Sequence, residues 1–325
     1  MDAAEPEAAA AEIEFQLEAM MRRLAVGLGL LLGSAISAAA DDATDCASGD
    51  PARGIPACTR IIELAGQPEE KRAQAYGNRG TTLALQGRYQ EALADLSEAI
   101  RLNPNDAESF HARGRVHGEM GDWDAAITEF DAALQADPRH VDALISRGSA
   151  RQLQGQVDLA LADFSEAVKV DPQNPDALSS RGALYLATSR FLEARADLDH
   201  AIKLDPDFGA AYLNRGLTYF FERQFDRAIA DFNQALRIDP QNAHVRVQRG
   251  AAYFFTKQLD KALVDANDAI RLDAKNSEAY KLRGGILSGM GRRDQAIADF
   301  RKALELNPGD QGARKSLQGL GVTSD

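Results

Sequence analysis

Few of the residues whose chemistry is recognisable from spacing stand here in a working arrangement. The sequence has no GxxxxGK(S/T) loop to cradle phosphate, no HExxH pair to hold zinc and no GxSxG turn to expose a nucleophilic serine. Its five histidines are scattered; His111 and His117 share a helical stretch but stand six residues apart, so they read as surface residues. The 49 acidic residues recur at fixed intervals, a pattern that belongs to architecture. No catalytic residue, cofactor or metal set is expected. The two cysteines, Cys46 and Cys58, are twelve residues apart with no histidine before His111. In an exported chain that pair favours a disulfide. The loop it closes would contribute roughly 2–3 kcal/mol in the chain-entropy description.

The recurrence itself is strict. Arg-Gly occurs at 79–80, 113–114, 147–148, 181–182, 215–216, 249–250 and 283–284, always 34 residues apart. Asn-Pro or Asp-Pro follows in step, from Asn103-Pro104 to Asn307-Pro308, with one rung altered to Asp273-Ala274. With the glycine set at position 8, the repeats run 73–106, 107–140, 141–174, 175–208, 209–242, 243–276 and 277–310. Positions 20 and 27 are alanine in all seven, and position 24 is large and apolar except at Ala266. Small residues at 8, 20 and 27 let two helices approach closely, and a face that one repeat cannot bury is covered by stacking.

These residues resemble the tetratricopeptide repeat, over 238 of the 325 positions. The arginine before the glycine, where the family usually has leucine, resembles a subtype found in exported bacterial members. The resemblance implies an all-α fold: a right-handed superhelical solenoid of antiparallel helix pairs. The helix boundaries follow from the residues. Position 34 offers an N-cap in Asp106, Asn174, Asn242, Asn276 and Asp310. Glycine at position 15 ends the first helix in Gly87, Gly121, Gly155 and Gly291. Upstream, 41–72 holds the cysteines and reads as a half-repeat cap, with Ile55, Cys58, Ile62 and Ala65 at positions 17, 20, 24 and 27. Downstream, 311–325 reads as a capping helix and tail.

The first forty residues carry an address. Arg22 and Arg23 precede an apolar run from Leu24 to Ile36 and then Ala38-Ala39-Ala40, the order of a secretory signal peptide over 20–40. The run is short for a membrane span. A periplasmic or secreted chain is expected, the alternative being one anchored by an uncleaved signal. Residues 1–19 read as an over-extended start, Met20 or Met21 being the better initiator. Residues 41–325 would still carry a net charge of −8, against −12 for the whole. No basic stripe suits nucleic acid, and no stable membrane insertion is expected after cleavage. Other proteins are the expected partners.

Two sets of residues follow. Arginine at position 7 and an acid at 23 occur in every repeat: Arg79 and Asp95, Arg113 and Glu129, Arg147 and Asp163, Arg181 and Asp197, Arg215 and Asp231, Arg249 and Asp265, Arg283 and Asp299. Position 7 lies level with 23 of its own repeat and nearly level with 23 of the one before. Ile61 upstream and Leu317 downstream would orphan Arg79 and Asp299 in the second arrangement, which favours pairs within the repeat. The second set follows from the resemblance, which implies a concave groove lined by positions 2, 5, 9, 12 and 13. There Leu186, Leu213, Leu217, Phe220, Phe221, Val247, Phe254 and Phe255 form an apolar strip, whereas repeats 1–3 offer Thr81, Arg115, Glu119, Ser149 and Gln152. Exposed, the strip would grip a peptide or helical segment of a partner. Folded inward, it would tighten the stack and leave a spacer or envelope assembly factor acting through edges and convex face. The chaperone-tail clamp of some family members is absent: position 5 has Lys281 alone and position 9 has no Asn.

Overall fold

The computed structural model describes residues 41–322, and among these all regular secondary structure is helical. The chain divides into two compact units, one up to Pro138 and one from Arg139. The first begins with a helical stretch at 41–47 and the helix Pro51–Glu63. Two helix pairs follow, Glu69–Leu85 with Tyr89–Leu102 and Ala107–Glu119 with Trp123–Ala136. The second unit holds five pairs: Val141–Leu153 and Val157–Val170, Pro175–Ala187 and Phe191–Leu204, Gly209–Phe221 and Phe225–Ile238, Ala243–Phe255 and Leu259–Leu272, Ser277–Gly289 and Arg293–Leu306. It closes with Gln311–Gly319. We call the two helices of each repeat A and B. The stretches assigned above to a signal peptide and an over-extended start lie outside the described residues.

Glycine at position 8 makes the A–B seam. A Cβ on Gly114 would sit 2.6 Å from the Phe130 ring, and one on Gly216 2.7 Å from Phe232. The alanines at 20 and 27 are buried on the facing helix. Repeat 6, which has Ala266 where the others carry a large side chain, fills the gap from outside. Leu282 of repeat 7 reaches to 2.9 Å of the position a Gly250 Cβ would take, and it packs with Ala262 and Ala266. Its equivalents at position 6 are Asn78, Ala112, Ser146, Ser180, Asn214 and Gln248, all small or polar. The neighbouring repeat thus supplies the volume that Ala266 lacks.

Helix A ends in the same way in every repeat. The position-16 N–H donates to the carbonyl at 11 and the position-15 N–H to the carbonyl at 12, as in Arg190 to Tyr185 and Ser189 to Leu186, at 2.8 and 2.9 Å. This closure needs a left-handed residue at 15. Glycine provides it at Gly87, Gly121, Gly155 and Gly291, whereas Ser189, Arg223 and Lys257 hold φ near +60° with a full side chain. At the N-termini, Asn174, Asn242, Asn276 and Asp310 accept backbone N–H groups as expected. Asp106 does not; its carboxylate takes the Ser109 hydroxyl at 2.5 Å.

Within each unit, consecutive A helices touch and consecutive B helices do not. The A helices therefore lie on the inner face. His111, expected at the surface, is 5% exposed with its ring 5.7 Å from Phe130. In the cap, the helix ends at Glu63 and leaves Ala65 exposed beyond it, while Ala57 and Cys58 are fully buried. Cys46 and Cys58 form a disulfide, with Cα atoms 4.7 Å apart.

Candidate protein-binding site

The arginine ladder ties helix A to helix B in every repeat. All seven guanidiniums meet the acid sixteen residues on in their own repeat, at 2.6–2.8 Å. In Arg79, Arg181, Arg215, Arg249 and Arg283, Nε and Nη2 grip the two carboxylate oxygens together. These carboxylates raise the same five guanidiniums above their ordinary value by hydrogen bonding, against the opposing effect of burial. The remaining nitrogen often reaches back a repeat: Nη1 donates from Arg113 to Ser97, Arg215 to Asp199, Arg249 to Asn233 and Arg283 to Asn267. Each of these arginines holds its own A–B pair and the preceding B helix at once, a bridge that the spacing of acids alone does not reveal.

The second set gathers at the ends of the A helices of repeats 5 and 6. Phe220 packs edge-on against Phe221, Phe225 and Phe255, with ring centroids 5.9, 5.4 and 5.5 Å away. Phe225 and Phe255 stack in parallel at 5.1 Å, and Phe254 lies edge-on to Phe255 at 6.0 Å. Phe225, at position 17 on helix B, was not among the expected site residues; only its contact across the A–B turn brings it in. Phe220 is half-buried against the repeat 5 core and Phe254 against that of repeat 6. Phe221 and Phe255 are 59% and 51% exposed. Two rings thus fasten the cluster to the core and two face solvent.

The rest of the strip divides. Leu213 and Leu217 are half-buried against the same core as Phe220, and Leu186 against that of repeat 4. Val247 is buried against Ala269, Ala279 and Leu282, so it is a packing residue and not part of an accessible groove. The cause is the A helix of repeat 7, which brings Ala279 and Leu282 against it. Exposed apolar groups also stand at position 13 in repeats 1 and 3, as Leu85 and Leu153, so aromatic character, and not apolarity alone, is what repeats 5 and 6 have to themselves. In the first unit a hollow of 490 Å³ opens beside Gln74, Gly77, Asn78 and Ser109, bounded by Cys46, Ala47 and Gly49.

An all-helical stack of two-helix repeats with an accessible aromatic patch defines a repeat scaffold. Models described as tetratricopeptide repeat match residues 73–106, 111–175, 154–207, 209–242 and 277–310. The chain belongs to the tetratricopeptide repeat family and is a protein-interaction scaffold. No curated protein matches it as a relative. Among solved structures it is similar to the APC/C hetero-tetramer Cut9-Hcn1, with a TM-score of 0.69 and 17% identity over 85% of this chain and 54% of that one. It is also similar to a tetratricopeptide repeat protein of Parabacteroides merdae, with a TM-score of 0.61 and 20% identity over 77% and 98%. The type IV pilus biogenesis factor PilW gives a TM-score of 0.60 and 19% identity over 65% and 98%. The chain spans about half the length of the first of these. Such likeness establishes the fold.

Proposed function

We propose that this chain is an exported scaffold that grips a segment of another protein on the inner, apolar strip of repeats 4–6. The observation that carries the reading is the exposure of Phe221 and Phe255 beside half-buried Phe220 and Phe254. Leaving two aromatic rings half in water forgoes roughly 1 kcal/mol of burial each, a loss that a partner would recover. Leu186, Leu213 and Leu217 extend the strip at lower accessibility. A photo-reactive phenylalanine analogue at position 255 should cross-link the partner in the cell envelope, and the same probe at Ala230 or Gln234, exposed on helix B, should not. Equal cross-linking at both would favour the spacer reading.

Export is supported by the disulfide, which belongs to an oxidising compartment. No described helix is long and apolar enough to cross a membrane. Native protein is expected to lack residues 1–40 by intact mass and to show no free thiol. A native mass that retains 24–40 would contradict export.

A further inference from the structure

The exposed rings of repeats 5 and 6 have a second peculiarity beside them. Position 15 is glycine in repeats 1, 2, 3 and 7 and serine in repeat 4, but it is Arg223 in repeat 5 and Lys257 in repeat 6. Position 19 is Glu91, Ala125, Leu159, Glu193 and Gln295 in the other repeats, but Arg227 and Lys261 in these two. A cation at 15, a cation at 19 and a phenylalanine at 13 therefore coincide in two consecutive repeats. Arg223 and Lys257 hold φ at +63°, a conformation for which glycine would be the cheaper residue.

No carboxylate of the protein neutralises this charge. Among the described residues, none of the four cations forms an ion pair: Arg227 and Lys261 donate to Gln224 and Gln258 and lie over the Tyr219 and Tyr253 rings at 5.6 and 5.4 Å, and Lys257 lies over the Phe254 ring at 5.9 Å. Of the nearby acids, Glu222 is within 3.7 Å of Arg195, and Asp226 and Asp260 occupy first turns of B helices, where the helix dipole favours them. A chain of net charge −12 thus carries four cations without carboxylate partners in the two repeats that hold its two most accessible aromatic rings.

We infer that repeats 5 and 6 recognise a partner segment in which a bulky apolar side chain is flanked by aspartate or glutamate. The apolar group would lie on Phe221 and Phe255 while its acidic neighbours reach Arg223 and Lys257. This rests on the reading of repeats 4–6 as the binding surface and adds the partner's chemistry to it. An anionic membrane offers negative charge too, but the acidic balance of the whole chain opposes approach to such a surface.

Panning random displayed peptides on the full chain tests the inference, with Arg223→Gly/Lys257→Gly and Phe221→Ser/Phe255→Ser as the two comparison variants. The expected peptides carry Leu, Trp or Phe beside Asp or Glu, and bind more weakly as salt rises. The glycine variant should bind them roughly tenfold more weakly, the order that two exposed charge contacts supply, with no fall in melting temperature. Peptides without acidic excess, or acidic ones that hold the glycine variant equally well, overturn the charge assignment. If those peptides still fail to bind the serine variant, the underlying surface stands. Peptides that bind the serine variant as well as the parent, or no selected peptide at all, overturn both. Should the glycine variant unfold, lysine-for-acid versions of the selected peptides are compared on the parent chain, and equal affinity overturns the inference. Binding to phosphatidylglycerol vesicles that the glycine variant loses, without peptide selection, would assign these cations to lipid instead.

Discussion

Asp265 is the most deeply buried acid of the ladder, and two guanidiniums converge on it: Arg249 at 2.6 Å and Arg246 at 3.7 Å. Removing one partner of a buried pair leaves charge without compensation. Asp265→Ala is therefore expected to cost about 3 kcal/mol. Asp207→Ala, which breaks the exposed contact of Asp207 with Arg237, should cost about 1 kcal/mol at most. Urea midpoints of the two variants check this, and equal shifts would contradict it. Position 7 and position 23 were legible because types and interval recur seven times. The reach of Nη1 to the preceding repeat was not read, although its acceptors Ser97, Asp199, Asn233 and Asn267 all stand at position 25, which is Ser, Asp or Asn in repeats 1–6.

At the scale of the helix, the sequence announces ends better than neighbours. The Asn and Asp caps, the glycines at position 15 and the alanines of the seam are local signals read off one repeat. Contacts between repeats are hidden, which is why Val247 proved buried and why the packing of Leu282 against Ala266 was not foreseen. Leu282 gives a test. Ala266→Phe alone should overpack by about 1–3 kcal/mol and Leu282→Ala alone should cost about 2–5 kcal/mol. Combined, they should cost clearly less than the sum, by a coupling of about 0.5–3 kcal/mol. Strict additivity would mean that the two side chains do not share one space. The last helix hangs on Asp310, which accepts from the N–H groups of Gly312 and Ala313 and lies 2.9 Å from Lys281. Burial pushes its carboxyl up, but the Ala313 N–H, Lys281 and the Gly312 N–H together hold it below its ordinary value. A depressed carboxyl contributes stability above the ordinary carboxylate range and loses it as pH falls through the folded value. Asp310→Ala should thus cost about 1–2 kcal/mol at neutral pH, a difference that begins to shrink below about pH 4 and is gone once pH has fallen past the folded value. Amide exchange over 311–319 reports it, and a pH-independent difference would refute the assignment.

Over the whole molecule, the family fold was legible from period and small-residue positions, and the binding surface only in part. Helical periodicity placed four phenylalanines at positions 12 and 13, but whether each faces core or water depended on how the neighbouring A helix covers it. Phe220 and Phe254 are half covered; Phe221 and Phe255 are not. If these two rings serve a partner and not the fold, removing them separates binding from stability. The most direct measurement compares Phe221→Ser/Phe255→Ser with the parent chain, reading partner cross-linking in the cell envelope and unfolding free energy on the same preparations. Cross-linking is expected to be lost while stability falls by no more than about 2 kcal/mol, the order of the ring contacts given up. Cross-linking that persists at the parent level, or a loss of stability of the order of a core deletion, about 3–5 kcal/mol, would contradict it.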